Sequence, residues 1–175
     1  MVAECETALG NINYIIKDLQ VQGYLVKKNN KDWLLNNRET LINQWAENFL
    51  NKLQPEYLMG TFRFQAPDGI KNWNKLKLDA TKTYWGGEPA ADILTNYLQP
   101  ATLTIYTEEN RIDLIKKYRL IPDTNGNIKL YTKFWKATEK NETVHPLVIY
   151  EDLLGINDPR TIELANLIYN EYLEK

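Results

Sequence analysis

The sequence predicts an α+β protein, with a small helix-and-wing unit over residues 1–37 and a mixed α+β domain over residues 38–175. Three observations carry this prediction. A helical apolar stripe ends at a glycine and leads at once into two short apolar segments joined by a basic turn. Strand-like and helix-like segments then alternate without an internal repeat. Two amphipathic stretches close the chain, separated by a turn that holds a capping residue and a proline.

Leu9, Ile12, Ile16 and Leu19 follow i, i+3, i+7, i+10 spacing and line one face of a short helix, which Gly23 ends. Residues 24–26 and 33–35 then read as two strands around the basic turn at 27–32. Asn36 or Asn37 caps a second helix from about Arg38 to Leu53, with Leu41, Trp45 and Phe49 on one stripe and Ile42 and Leu53 beside it, until Pro55 stops it. Residues 57–64 form a strand broken at Gly60, and residues 76–83 alternate well enough for another. Trp85-Gly86-Gly87 is a tight element leading into a helix at 88–98, which Pro100 terminates. A strand at 102–106 and a helix near 110–118 follow. Residues 120–122 and 127–135 flank Asn125-Gly126, a strong turn signal, and are predicted to form a hairpin. Residues 147–154 and 160–173 are the closing helices, the second started by Asp158-Pro159.

Composition narrows the function classes. Among 175 residues, 21 Lys and Arg stand against 23 Asp and Glu, which excludes a protein that coats nucleic acid through overall charge but leaves local patches open. The balance is uneven: residues 10–38 carry five basic and two acidic side chains, whereas the stretch from Glu151 onward carries two and six. No apolar run approaches the roughly 20 residues of a membrane span, and the N-terminal segment lacks a signal-peptide core. Cys5 is the only cysteine, so no disulfide framework is possible and a reducing cytoplasm is the expected compartment. One histidine and one cysteine allow no His/Cys zinc cluster, and neither a metal nor a cofactor is expected.

A helix ending in glycine, an apolar strand, a basic turn and a second strand form the back half of a winged helix-turn-helix. In that reading Asn11, Asn13, Tyr14 and Lys17 face away from the apolar stripe, where they can hydrogen-bond base edges and phosphates. Lys27, Lys28 and Lys31 sit on the wing, where ammonium groups suit phosphate contact without selecting sequence. The same pattern also suits a helix and hairpin packed on the main domain, with lysines on a solvated turn. Only about eight residues precede the helix, so the motif is expected to be incomplete at its front and its autonomous DNA binding weak, with Met1 not the assured native start.

The run from 85 to 107, residues 118–135 and residues 145–173 resemble the AbiEi family, transcriptional regulators and antitoxins of type IV toxin-antitoxin systems in bacterial phage defence. The resemblance extends over nearly everything from Gly10 to Leu173, and the blocks Trp85-Gly86-Gly87-Glu88-Pro89-Ala90-Ala91 and Asp158-Pro159-Arg160 are its most distinctive parts. It implies a non-catalytic protein that binds promoter DNA, represses its own operon, and neutralises a nucleotidyltransferase-type toxin without a stable complex.

Other sites are weighed against plainer readings. Two glycines at a helix start suit anion binding, but Trp85-Gly86-Gly87-Glu88 lacks the further glycines of a dinucleotide loop and the Gly-Lys-Ser/Thr of a phosphate loop. A structural turn is expected there, with Glu88 favourably placed near the helix dipole. A metal-dependent nuclease or other hydrolase is the alternative function, with Asp79, Glu88, Asp92 and Lys82 as candidates, although i, i+3 spacing sets Asp79 and Lys82 on opposite faces of a strand. His145 ahead of Pro146 is expected to cap or pack, and Tyr169 and Tyr172 to pack on the core. A scaffold that binds only protein is a third reading.

Overall fold

The computed structural model describes residues 9–29, 32–66, 68–136 and 141–174, so Cys5 and Lys31 lie outside the described residues. The fold is α+β, and the chain separates into two compact units, Met1–Asn48 and Phe49–Lys175.

The first unit holds α1 (Leu9–Val21), β1 (Leu25–Lys27), β2 (Trp33–Leu35) and α2 (Arg38–Asn48). Ile12 is buried and Ile16 and Leu19 are half-buried, as their common helical face requires. Gly23, at φ 77°, ends α1 while the Tyr24 N–H donates to the Leu19 carbonyl at 2.8 Å. The strands β1 and β2 pair antiparallel, with Leu25 opposite Leu35 and Lys27 opposite Trp33. In α2 the buried residues are Ile42, expected beside the stripe, and Ala46, while Leu41 and Trp45 are half-buried.

The second unit opens with a π-helical turn, Phe49–Leu53, and the short α3 (Gln54–Tyr57). Its sheet has the order β4-β5-β7-β3-β6, from β3 (Leu58–Phe64), β4 (Thr83–Gly86), β5 (Leu103–Thr107), β6 (Leu120–Pro122) and β7 (Ile128–Thr132). β5 and β7 run parallel; the other pairs are antiparallel. The registers put Tyr84, Gly86, Thr104, Tyr106 and Tyr131 on one face, which α4 (Gly87–Thr95) and α6 (Pro146–Ile156) cover. The opposite face carries Trp85, Ile105, Leu130 and Phe62, met by a 3₁₀ helix, Gly69–Lys75, and by α5 (Arg111–Tyr118). Backbone bonds from Trp85 to Glu142 and from Val144 to Trp85 shield the outer edge of β4. The helix α7 (Pro159–Ile168) starts with a capping box between Asp158 and Thr161 and passes into a second π-helical segment, Tyr169–Leu173.

Two expectations are corrected. The predicted strand at 76–83 begins only at Thr83, because the Asp79 carboxylate accepts from the Thr81 N–H at 3.1 Å and its hydroxyl at 2.7 Å and closes a turn ahead of it. The predicted hairpin at 120–135 does not form: β6 and β7 flank β3, with Phe62 opposite Pro122 on one side and Ile128 on the other. Neither Asn125 nor Gly126 has the positive φ that a two-residue hairpin turn demands. The loop steps across β3 instead, tied by the Asp123 N–H to the Thr61 carbonyl at 3.0 Å.

Candidate nucleic-acid interface and the buried motif of the second unit

Helical spacing turns Asn11, Asn13, Tyr14 and Lys17 away from Ile12, Ile16 and Leu19, and all four side chains are exposed, Tyr14 to 76%. Asp18 shares this outward side, its carboxylate accepting from Gln22 Nε2 at 2.7 Å. On the wing, Lys27 and Lys28 are exposed, and the Lys27 ammonium lies 5.7 Å from the centre of the Trp33 ring. Asn29 and Asp32 close the turn: Asn29 Nδ2 donates to the Asp32 carboxylate at 2.6 Å and the Asp32 N–H to Asn29 Oδ1 at 2.8 Å. The structure therefore brings the four α1 candidates to one helix and presents two wing lysines on the hairpin that follows; Lys31 is not among the described residues. The wing also exposes Val26, Trp33, Leu34 and Leu35, which a charge-based reading passes over.

In the second unit the protein itself occupies the glycine pair. Asp152 Oδ2 accepts the Gly87 N–H at 2.9 Å, while Oδ1 accepts the Tyr106 hydroxyl at 2.7 Å and Gln54 Nε2 at 2.6 Å. A Cβ on Gly86 would stand 2.6 Å from Asp152 Oδ2, and one on Gly87, at φ 49°, would meet Thr104 Oγ1 at 2.8 Å. The glycines are needed because a carboxylate and a sheet residue approach the backbone too closely for any side chain. Glu88, 1% exposed, accepts the Ala101 N–H at 2.9 Å and pairs with Arg160 Nη2 at 3.0 Å. The blocks at 85–91 and 158–160 are thus joined by one ion pair, a placement their sequence separation conceals. Asp152 and Gln54 escaped sequence reasoning; the available signal was Glu151-Asp152, two adjacent acids in an otherwise apolar helix, PLVIYEDLLGI.

A family model described as transcriptional regulator, AbiEi antitoxin, Type IV TA system matches residues 34–174. The chain belongs to this AbiEi family. The match starts within β2 and takes in both blocks joined by Glu88 and Arg160, while α1, β1 and the wing lysines precede it. No curated protein and no solved structure matches the chain significantly.

In this AbiEi-family chain two of the four residues considered for a nuclease, Glu88 and Asp79, are bonded within the fold. Glu88 is committed to Arg160 and Ala101, Asp79 to Thr81, and Asp92 sits on α4, its carboxyl raised above the usual range by burial. Lys82 is exposed in the turn before β4. Among the described residues no three His, Cys, Asp or Glu side chains gather where they could hold a metal ion, and no helix is long and apolar enough to cross a membrane. His145 caps α6, its Nδ1 accepting the Leu147 N–H at 3.2 Å. Tyr169 packs its ring 5.6 Å from Tyr150, whereas Tyr172 stays 39% exposed.

The buried acids make stability depend on pH. Burial raises Asp152 to about 7, against the hydrogen bonds from Tyr106, Gly87 and Gln54 and the charge of Lys129, which favour its ionised form. Burial and then the neighbouring Asp152 charge raise Glu151 to about 8, and neither of its carboxyl oxygens has a hydrogen-bond partner among the described residues. Both groups hold a proton more tightly folded than unfolded. Their contribution is therefore fully present below the unfolded carboxylate range and is lost as pH rises through about 7 and 8. The melting midpoint should fall by about 5 °C or more between pH 5 and pH 8. Thermal scans across that window check this; a flat or rising midpoint contradicts it, and Glu151→Gln should remove much of the slope.

Proposed function

We propose that this AbiEi-family regulator is non-catalytic and holds promoter DNA with the outward side of α1, through Asn11, Asn13, Tyr14 and Lys17, and with the wing lysines Lys27, Lys28 and Lys31. The second unit carries the antitoxin role toward a nucleotidyltransferase-type toxin without forming a stable complex, and the protein acts in the cytoplasm.

The observation that supports the DNA contact is the order of parts in the first unit. A helix with its apolar stripe turned inward and amides, a phenol and a lysine turned outward is followed by a left-handed glycine and an antiparallel wing bearing lysines. Ammonium groups there neutralise phosphates and release counterions, while amides discriminate base edges. Family membership supports the regulatory role.

A labelled promoter fragment titrated with the full chain at several salt concentrations tests the reading. The logarithm of the binding constant should fall linearly with the logarithm of salt, by roughly 0.9 per phosphate contacted. A titration without saturable, salt-sensitive binding ends the proposal.

A further inference from the structure

The second unit has a groove that the proposed DNA contact does not use; it borders the buried motif at Ala101, bonded to Glu88, and at the Gln99 carbonyl, which accepts from Arg160. It runs between the 3₁₀ helix Gly69–Lys75 and the loop after α4, as two adjoining hollows of about 350 and 300 Å³ that share Lys71 and Gln99. Trp73 lines it and is fixed edge-on against Trp85, with ring centroids 5.2 Å apart.

Four residues with carboxamide side chains line this space: Asn74 and Asn96, both exposed, in the larger hollow, half-buried Asn127 in the smaller, and exposed Gln99 in both. None of these four side chains hydrogen-bonds to a described residue. Neighbouring amides behave otherwise. Asn72 donates to the Asp68 carbonyl and accepts from Lys75, and Asn110 caps α5. Tyr97, at the groove, is held by its hydroxyl donating to Glu163 at 2.7 Å and remains 48% exposed. One cation and one acid complete the lining. Among the described residues Lys71 pairs, in an exposed position, with Asp68 at 3.3 Å, and Asp92 lines the larger hollow.

Unused amides both donate and accept, as the edge of a nucleobase requires, and a half-exposed ring of fixed position offers its face for stacking. With Asp68 beside the one lysine and Asp92 in the same lining, the groove tolerates at most one phosphate and disfavours a polyphosphate or a duplex backbone. The hollows fall in the size range of small-ligand sites, roughly 300–1,000 Å³. We propose that this groove binds a nucleoside monophosphate, its base stacked on Tyr97 and read by Asn74, Asn96 and Gln99, and its phosphate met by Lys71.

Calorimetric titration of the full chain with AMP, GMP, CMP and UMP, to millimolar concentration, tests this. Saturable binding of at least one is expected, weakened on the order of tenfold or more by Tyr97→Ala through loss of stacking. Lys71→Gln should bring the affinity for the monophosphate down to that for the matching nucleoside and leave nucleoside binding unchanged. Asn74→Ala with Gln99→Ala should change which base binds best. Melting of each variant without ligand shows whether it is folded; should Tyr97→Ala unfold, Tyr97→Leu and the Lys71→Gln comparison decide. The proposal is overturned if no monophosphate binds saturably, if binding ignores the Tyr97 and Lys71 changes, or if ribose 5-phosphate or a disaccharide binds as tightly as the nucleotide.

Discussion

Gly126→Ala is expected to destabilise the second unit by about 2–4 kcal/mol, lowering the melting midpoint by roughly 5–15 °C. The reason is steric. A Cβ at this position would lie 2.1 Å from the Phe62 carbonyl oxygen and 2.4 Å from its carbon, both backbone atoms in the middle of a strand paired on both sides. A side chain in the way could rotate aside, but β3 cannot move without breaking its ladders to β6 and β7. The loop must lift instead, straining the bond from the Gly126 N–H to the Asp123 carbonyl at 3.0 Å and that from the Asp123 N–H to Thr61. Asn125→Ala, one residue away with an exposed side chain, should stay within about 0.5 kcal/mol. Denaturant unfolding of the two variants measures the difference; equal stabilities would refute the crossing of β3 by this loop.

Reversing charge on the wing, Lys27→Glu with Lys28→Glu, should weaken promoter binding by on the order of a hundredfold near physiological salt and reduce the salt slope by roughly two. Both lysines are exposed, and Trp33 directs the first of them through a cation–π contact rather than an ion pair that the change would break. Folding should therefore be little affected, and the loss should be similar on promoter and scrambled DNA because phosphate contact carries no sequence information. Asn13→Ala on α1 should act differently, eroding the preference for the promoter more than the affinity for DNA in general. Fluorescence anisotropy on both DNAs separates these effects. An unchanged slope in the wing variant would remove the wing from the interface.

Much of the secondary structure was legible because it rests on local chemistry. The stripe of Ile12, Ile16 and Leu19, the left-handed Gly23, the His145 and Asp158 caps and the prolines after them are all short-range choices, and the structure keeps them. The strand predicted at 76–83 starts late for a local reason too: the turn that the Asp79 carboxylate closes with Thr81 outcompetes the apolar alternation there. The outward set on α1 was readable from helical period alone, whereas the groove between residues 69–75 and 96–101 was not, since its lining comes from segments that no spacing rule connects.

An α+β chain of the AbiEi family, with a basic front, an acidic tail, and a short helix and hairpin ahead of a larger mixed unit, is written in local sequence. These properties follow from period, capping and composition, which act over a few residues. The strand order, the separation of β6 from β7 by β3, and the use of Gly86 and Gly87 as a socket for Asp152 come from long-range packing. Strand partners are chosen by burial across the whole sheet, and a buried carboxylate selects donors that lie 46, 65 and 98 residues away in the chain. The Asn-Gly pair shows the difference most plainly: its local preference is for a hairpin, and the place already taken by β3 overrides it.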